Sequence, residues 1–456
     1  MTVSGRREKS GFEMQHEGSI KRARERVRGR TGASEIPSPY DPPQDCKLVG
    51  VMRAICGIKD AVGVIHARPG CHCGVLLLRA LGSHQNDIRI VSSGVRAQDM
   101  VYGAEGRLSA AIGLSYFNFK PALIAVMNCS APAIMGDDVE GVAQALKDKI
   151  PAEILTFSTG GYEGPAWLGY EEALAELTKF MDGAAKTDRG AEKTVNILGF
   201  KRDDPRALAD IQEIERMLHT QGVSVNAVLT NASFNEIKNA PRASLNVVLG
   251  GDGLKCAEAM EERFDMPFVV VPYPYGLRKS RVFLERIAEG LDIELNENAI
   301  QVEEEYVKER IERVFLFLQG IYDASIAVIG DAGRAFDLAQ FLSEEVCMNV
   351  EVLALTSQNH HTNEMLSEAK EYAECVLIEP DRFEMNERIK ASEVELLFGT
   401  SFEKKIAWEL RVPLIRMFYP VIDEVTISDT PFAGFRGTVN IIESIINAVI
   451  HNYLAE

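Results

Sequence analysis

The sequence predicts an α/β protein with three doubly wound, Rossmann-like domains, each built on a parallel sheet. Short apolar runs alternate with amphipathic helical patterns along most of the chain, which is typical of βαβ units. These runs form three series, and the 456 residues exceed what one hydrophobic core usually supports. The predicted boundaries are an N-terminal arm at 1–45 and domains at 46–190, 191–322 and 323–456, the last with a C-terminal helix.

The first series of predicted strands precedes a polar stretch, "DGAAKTDRGAEK", at 182–193. Its apolar runs are long enough for buried strands and too short for helices. The runs are "VGVIHA" (62–67), "ALIAVMN" (122–128) and "AEILTFS" (152–158).

The second and third series are separated by the helical pattern "EEEYVKERIERVFLFLQGIYD". The second comprises "VNILGF" (195–200), "VSVNAVLT" (223–230), "LNVVLG" (245–250) and "FVVVPY" (268–273). The third comprises "SIAVIGD" (325–331), "NVEVLALT" (349–356), "CVLIE" (375–379), "VELLFGT" (394–400) and "VPLIRMFY" (412–419). In such sheets, ligands bind beyond the carboxyl ends of the strands.

Composition and charge argue against two classes of protein, those that bind nucleic acid and those that span a membrane. The formal net charge of −18 argues against a nucleic-acid-binding protein, and no apolar run reaches the roughly 20 residues of a membrane span. The polar start of the chain has no signal-peptide pattern, so we expect a cytoplasmic protein with reduced thiols. Residues 1–30 are basic, and this arm is either disordered or wraps a partner subunit.

The segment "GDAGRA" (330–335) follows a predicted strand and opens a helix, as a dinucleotide-binding loop would. It lacks the full G-x-G-x-x-G spacing, and no acidic strand end follows at the usual distance. We interpret it as a plain strand-to-helix turn.

Three cysteines fall at loops or strand ends of the first domain. Cys46 follows a proline-rich loop, Cys71 follows the predicted turn "RPG", and Cys129 ends a strand. The carboxyl ends of neighbouring parallel strands converge, so these thiols are expected to meet although 25 and 58 residues separate them.

Convergent thiolates suit zinc or an iron–sulfur cluster, because soft sulfur ligands select these over hard cations. A closed zinc site needs four ligands, so either His72, Cys73 or another subunit completes the set. The competing interpretation is that the cysteines are buried core residues. We favour a core position for Cys73, and also for the remaining cysteines, which are Cys56, Cys256, Cys347 and Cys375.

Longer motifs add a family resemblance. "CKLVGVMRAICGIKDAVGVIHARPGC", "SSGVRAQDMVYGAEGRLSAAI" and "NCSAPAIMGDDVEGVAQAL" resemble the component 1 proteins of nitrogenases and their relatives. That family has a first Cys, a "GI+D" helix, an H-G-P-x-G-C turn and a C-x-x-x-x-IGDD loop. The resemblance covers about residues 44–450.

The resemblance implies a β-type subunit. The cysteine spacing matches the β-type pattern, whereas α-type chains carry a Cys and a His that hold the catalytic cofactor. These ligands would fall near Gly250 and Ala433, where neither is present. The family relationship thus implies an α-type partner in an α2β2 heterotetramer, with the catalytic iron–sulfur cofactor in that partner.

The resemblance also assigns candidate site residues. It makes Cys46, Cys71 and Cys129 this chain's ligands to an 8Fe-7S P-type cluster shared with the α-type subunit. Gly70 and Gly103 would allow close approach to the cluster. Tyr102 aligns with an aromatic residue that helps dock an ATP-dependent 4Fe-4S reductase, the alternative being a packed aromatic at a helix start.

Departures from the family pattern bear on the substrate. "HARPGC" replaces H-G-P-x-G-C, with Arg68 inside the turn, and Pro165 stands where nitrogenase proper has a serine that can touch the oxidised cluster. We therefore expect a nitrogenase-like reductase, with methylthio-alkane reductase as the preferred relative. The alternatives are a dinitrogen-reducing nitrogenase and a cofactor-assembly scaffold without turnover.

Overall fold

The structure, a computed structural model, describes residues 46–82, 89–183 and 193–454. This part of the chain contains three sheets, and every strand pair in them is parallel. The predicted fold class is confirmed. The predicted N-terminal arm at 1–45 and the proposed boundary at 190/191 lie outside the described residues.

The first sheet has four strands in the order β2-β1-β3-β4. Its strands are β1 (Ala61–His66), β2 (Ile90–Ser92), β3 (Leu123–Asn128) and β4 (Glu153–Ser158). The accompanying helices are α1 (Lys47–Ile55), α2 (Pro69–Gly82), α3 (Asp99–Tyr102), α4 (Glu105–Phe119), α5 (Ser130–Met135), α6 (Val139–Leu146) and α7 (Ala166–Leu177). The central strand β1 is buried on both faces, which explains its continuous apolar sequence.

The second sheet has the strand order β6-β5-β7-β8. Its strands are β5 (Thr194–Leu198), β6 (Ser224–Val228), β7 (Leu245–Leu249) and β8 (Phe268–Val271). The helices are α8 (Ala207–Thr220), α9 (Phe234–Lys238), α10 (Leu254–Phe264), α11 (Gly276–Leu291), α12 (Glu297–Glu312) and α13 (Phe315–Leu318). Short 3-10 turns cover Thr178–Phe180, Leu229–Asn231 and Ala240–Arg242.

The third sheet has five strands in the order β11-β10-β9-β12-β13. They are β9 (Ser325–Asp331), β10 (Asn349–Ser357), β11 (Val376–Ile378), β12 (Leu396–Gly399) and β13 (Leu414–Arg416). The helices are α14 (Ala332–Glu344), α15 (Thr362–Tyr372), α16 (Arg382–Ala391), α17 (Lys404–Leu410) and α18 (Gly434–Leu454), with a 3-10 turn at Ser401–Glu403.

The core follows these sheets. One large apolar cluster joins the second and third sheets, and a second cluster covers one face of the first sheet and reaches into the second. The predicted C-terminal helix is present as α18, which packs against α8, α11 and α12 of the second series. Within the described ranges, no helix combines the length and the apolar character that crossing a bilayer requires.

Each of the twelve predicted strands overlaps an observed strand. The prediction missed β2, whose three residues are too few for a periodic signal. The domain boundaries themselves stay a prediction.

Candidate functional site

The three candidate cysteines lie at the starts of helices on the carboxyl side of the first sheet. Cys46 is the N-cap of α1, and Cys129 follows β3 as the N-cap of α5. Cys71 lies in the first turn of α2, not in the loop that the sequence predicted. The reason is Pro69, which occupies the first helical position, where its missing N–H costs nothing and its fixed φ favours the helix.

The three thiols are close enough to interact electrostatically. The hydrogen bond between Cys71 and Cys129 lowers the pKa of Cys71 to about 6, outweighing the effect of burial. The same bond raises the pKa of Cys129, as do burial and the negative charges of Cys71 and Cys46. A group of sulfurs this close gives one thiolate readily and holds the next proton tightly.

Backbone contacts fix the positions of two of these cysteines. Cys46 forms an isolated antiparallel bridge with Pro165, and the amide of Lys47 donates to the carbonyl of Gly164 at 3.0 Å. The amide of Cys129 donates to the carbonyl of His66 at 3.1 Å, extending the pairing of β3 with β1. Pro165 therefore lies beside Cys46, at the position where a serine would offer a hydroxyl.

The surroundings of the thiols are open on one side. Cys71 is exposed, Cys46 is half-buried and Cys129 is buried. Among the described residues, no other part of the fold comes within 4 Å of a Cβ placed on Gly70, so the space beside this glycine is open. Gly103 has φ +86°, which favours glycine, and a Cβ placed there would have Asp137 Oδ1 as its nearest atom, at 3.6 Å.

A buried histidine lies directly behind the cysteines. Nδ1 of His66 is 2.9 Å from Ser93 Oγ, and Nε2 is 2.9 Å from Asp137 Oδ2. The His66 side chain is fully buried, and burial lowers its pKa despite the nearby carboxylate. Asp137 Oδ1 also accepts from the amide of Ala104 at 3.2 Å. This group was not predicted from the sequence; its signal was a histidine ending a strand and the acidic pair in "MGDD".

An exposed apolar surface borders the site. Tyr102 is 89% exposed and Val101 is 76% exposed on α3, and Ile134 on the neighbouring α5 is 75% exposed. Tyr102 ends a four-residue helix, so the alternative of a packed aromatic at a helix start is wrong. Exposed aromatic and aliphatic side chains of this size are typical of protein–protein contacts.

The remaining cysteines divide into three groups by burial. Cys256 is fully buried, as predicted. The core assignment is wrong for Cys73 and for Cys347, which are both exposed. Cys73 lies in α2, and Cys347 lies in the turn between α14 and β10 with φ +60°. Cys56 and Cys375 are half-buried.

In the part of the chain that the structure describes, no group of three or more His, Cys, Asp or Glu side chains is arranged around a single metal ion. Cys71 and Cys129 are hydrogen-bonded to each other, and Cys46 acts on Cys129 through its charge. His72 is half-buried between the two exposed thiols of α2.

A family model described as nitrogenase component 1 type oxidoreductase matches residues 46–450. This chain belongs to that family. The oxidoreductase class that the sequence predicted is thereby confirmed.

Several curated relatives extend over nearly the same length. The nitrogenase iron-iron protein beta chain of Rhodobacter capsulatus is 24% identical and covers 90% of this chain and 93% of its own length. The iron-molybdenum cofactor biosynthesis protein NifE of Clostridium pasteurianum is 25% identical, with coverages of 90% and 88%. A light-independent protochlorophyllide reductase polypeptide from Synechococcus elongatus is 23% identical, with coverages of 88% and 81%.

A solved structure, nitrogenase Cp1 at pH 6.5, superposes on this chain with a TM-score of 0.79. It is 20% identical in sequence and covers 93% of this chain and 96% of its own. At this identity, the similarity establishes the shared fold.

This member of the nitrogenase component 1 family has a second strand-end region, where charged side chains meet. We call it the ionic crevice. Lys201, after β5, contacts Asp252 after β7 and Asp331 at the end of β9, with N–O distances of 2.5 and 3.6 Å. Arg334 at the start of α14 approaches Asp204 at 3.3 Å. The charged groups of the ionic crevice are Arg53, Lys201, Asp203, Asp204, Asp210, Asp252, Asp331 and Arg334.

Backbone packing closes the same crevice. A Cβ on Gly250 would lie 1.9 Å from the carbonyl oxygen of Gly333, and a Cβ on Gly333 would lie 2.4 Å from Asp252 Oδ2. The "GDAGRA" segment is therefore a packed strand-to-helix turn, as interpreted from the sequence, with its arginine buried. Ala433 is also buried, and its amide donates to Asp210 Oδ1 at 2.9 Å.

Proposed function

We propose that this chain is the β-type subunit of an ATP-dependent, nitrogenase-like reductase. With an α-type partner in an α2β2 heterotetramer, it holds an 8Fe-7S P-type cluster through Cys46, Cys71 and Cys129. The chain serves electron transfer from a 4Fe-4S reductase to a catalytic cofactor in the partner. The observation that carries this proposal is the convergence of three thiols at one open edge of the first sheet.

The donor set fits an iron–sulfur cluster. Thiolates are the ligands that such clusters take, and the low pKa of Cys71 supplies one near neutral pH. The free space beside Gly70 leaves room for a bulky inorganic group next to Cys71. When bound, the cluster supplies reversible electron storage at the subunit interface.

The chain's own residues hold and orient this site. Cys71 lies in the first turn of α2, and a backbone hydrogen bond there adds to the lowering of its pKa. Pro165 beside Cys46 offers no hydroxyl, so no serine ligand is expected at that position.

The exposure of Cys71 supports a shared site. A functional cluster needs protection from water, and in this chain one thiol is open to solvent beside the exposed side chains of α3 and α5. An α-type partner would cover the thiols, while Tyr102 remains a candidate contact for the reductase.

The ionic crevice supports placement of the catalytic cofactor in the partner. The resemblance puts the α-type cofactor ligands near Gly250 and Ala433, and both positions are closely packed here. The space between the strand ends holds charged side chains of this chain, among them Lys201, Asp252 and Arg334.

We propose methylthio-alkanes as the substrate class, with cleavage of the C–S bond. The departures at Arg68 and Pro165 support a reductase other than nitrogenase proper; Arg68 is exposed and Pro165 adjoins Cys46. Dinitrogen reduction is the first alternative. The similarity to NifE favours a second, a scaffold on which a cofactor is assembled without turnover.

The first experiment measures iron in the complex purified without oxygen. Wild type should hold about eight iron atoms per αβ pair at this site, and Cys71→Ala should lose them together with reductase-dependent turnover. Cys73→Ala is the matched control, because Cys73 is also exposed, two residues further along α2. Full iron in Cys71→Ala would refute the cluster assignment.

The second experiment separates the alternatives. The loaded complex, its reductase and ATP are supplied with dimethyl sulfide, dinitrogen or acetylene in turn. Multiple turnovers of dimethyl sulfide to methane and methanethiol support the proposal, and ammonia as the preferred product supports a nitrogenase. A complex that carries iron and turns over none of the three supports the scaffold.

A further inference from the structure

The His66–Asp137 pair connects segments that each carry a candidate site residue. His66 ends β1, and its fully buried ring contacts Ser93 and Asp137 at 2.9 Å each. Both ring nitrogens therefore have partners. The Asp137 side chain is also nearly buried, at 3% exposure, so its contacts are shielded from water.

Helix α5 is attached to His66 at both ends. At its start, the amide of Cys129 donates to the His66 carbonyl at 3.1 Å. Beyond its end, Asp137 Oδ2 is hydrogen-bonded to His66 Nε2 at 2.9 Å. The helix between them is only six residues long and exposes Ile134 to solvent. A displacement of this short helix therefore acts on Cys129 directly.

The second carboxylate oxygen of Asp137 contacts the segment that follows Tyr102, on the α3 side of the exposed surface. Asp137 Oδ1 accepts from the amide of Ala104, two residues after Tyr102. The amide of the next residue, Asp138, donates to Glu105 Oε1 at 3.1 Å. The Tyr102 segment and the α5 segment are consequently held together by one carboxylate and its neighbour.

We propose that Asp137 is a positioning residue: through His66 and Ala104 it holds the Tyr102 surface and the Cys129 sulfur as one unit. A protein that docks on α3 and α5 then changes the position or the mobility of the groups around the Cys129 sulfur. The connection to electron transfer rests on the proposed function, whereas the mechanical connection is a property of this chain alone.

The carboxylate has a conservative replacement. In Asp137→Asn, the amide oxygen still accepts from Ala104 and the amide N–H donates to His66 Nε2. In Asp137→Ala, both contacts are lost. Asp138→Ala is the matched control, because Asp138 caps α6 through the Gly141 amide at 2.8 Å and its side chain does not contact His66.

The test compares alkylation rates of Cys129 and Cys73 in the full chain, free of iron and reduced. Iodoacetamide is the probe, and mass spectrometry resolves the two cysteines. Cys73 is exposed and serves as the internal reference, and Cys129 is 3% exposed. We expect Asp137→Ala to raise the Cys129 rate relative to Cys73 about tenfold, because a buried charged hydrogen bond is lost.

The conservative variant and the control decide between positioning and general destabilisation. Asp137→Asn and Asp138→Ala should stay within about twofold of wild type, because each keeps the contacts to His66 and Ala104. An unchanged Cys129 rate in Asp137→Ala, or an equal rise in Asp138→Ala, would overturn the proposal.

A second measurement uses the anaerobic complex. Asp137→Ala should alter the midpoint potential and the electron paramagnetic resonance spectrum of the bound iron, and Asp137→Asn should restore both. Wild-type values in Asp137→Ala would reject a role at the cluster. If wild type holds no iron, the proposed function fails, and the alkylation rates still decide whether Asp137 positions Cys129.

Discussion

The ionic crevice has a counterpart at the first sheet, the region around Cys46, Cys71 and Cys129, which we call the thiol edge. The thiol edge and the ionic crevice occupy equivalent places in the fold, yet different side chains line them. Both lie beyond the carboxyl ends of parallel strands, where α/β proteins bind ligands. At the thiol edge, Cys71 is exposed and the space beside Gly70 is free. In the ionic crevice, Arg334 is buried and the position next to Gly250 is filled by a backbone carbonyl.

The difference shows how side chains at equivalent positions of one fold can leave a binding site open or fill it. At the thiol edge, short side chains and a glycine leave room, and the sulfurs of Cys71 and Cys129 interact with each other. In the ionic crevice, Arg53 donates hydrogen bonds to Asp203 and Asp204, and Lys201 donates one to Asp252. Arg334 lies 3.3 Å from Asp204. Burial raises the pKa of Asp204 and Asp252, although Arg334 and Lys201 oppose that rise. Among the described residues, five carboxylates share three cations in this crevice.

The largest expected effect comes from breaking the ionic crevice. Arg334→Met should lower the free energy of unfolding by about 3–5 kcal/mol, because, among the described residues, it leaves the buried Asp210 without its cation and Asp204 paired with Arg53 alone. The measurement is urea unfolding of the full chain. Arg278→Met is the control: this arginine pairs with Glu344 but is 61% exposed, so its loss should cost under about 1 kcal/mol. Equal effects of the two substitutions would contradict a closed crevice.

A pair of glycine substitutions sharpens the comparison. Gly250→Ala should cost about 2–4 kcal/mol, because φ is +61° and the new Cβ would overlap the Gly333 carbonyl. Gly70→Ala should leave stability unchanged or raise it by up to about 1 kcal/mol, since alanine favours the helix and the new Cβ meets nothing outside α2 among the described residues. Thermal unfolding of both variants measures this.

The same pair tests the thiol edge. If the cluster approaches Gly70, the complex of Gly70→Ala should hold less iron although its protein is no less stable. Full iron in that variant would remove Gly70 from the proposed site and leave the cysteine assignment untouched.

Twelve strands were predictable from sequence because most contain an apolar run, as buried strands of parallel sheets do, whereas the three-residue β2 gave no such signal. The start of α2 was not, since Pro69 and Gly70 are typical of turns as well as of first helical turns. The cysteine positions were found because thiols are rare and chemically distinctive. Their classification as exposed or buried failed for Cys73 and Cys347, because a local pattern does not show which positions the rest of the fold covers.

The ionic crevice could not be found from sequence. Its members are spread from Arg53 to Arg334, and single charged residues are on average exposed. Asp137 was hidden for a similar reason: its partners His66 and Ala104 are distant in the chain. Long-range polar contacts depend on the packing of three sheets, which local patterns do not encode.

A smaller effect concerns pH. Burial raises the pKa of Glu171 from 4.5 to about 7, with a contribution from Asp252; hydrogen bonds from the Gly253 and Lys255 amides, and Lys201, oppose the rise. The folded chain thus binds this proton more tightly than the unfolded chain. Glu171 therefore costs stability progressively as pH rises from about 4.5 to about 7, by at most about 3 kcal/mol.

Glu171→Gln should remove this pH dependence. Gln retains one acceptor for the Gly253 amide and carries no charge, so the unfolding free energy of the variant should fall less than that of wild type between pH 4.5 and 7. Denaturant unfolding at several pH values measures the slope. Parallel slopes in the two proteins would assign the dependence to other buried carboxylates of the crevice.

The smallest expected effect on stability is at the surface of the thiol edge. Tyr102→Ala should change the free energy of unfolding by less than about 0.5 kcal/mol, because the side chain is 89% exposed. If Tyr102 contacts the reductase, the same substitution should weaken its binding about tenfold or more, as for a central aromatic in an interface. Trp408→Ala is the control, since Trp408 is 80% exposed on α17, beside the third sheet. If wild type and Tyr102→Ala bind the reductase equally, or if both variants lose the same affinity, the docking surface lies elsewhere. Tyr102 and Trp408 are similarly exposed, so only docking at the thiol edge makes their substitutions differ in effect.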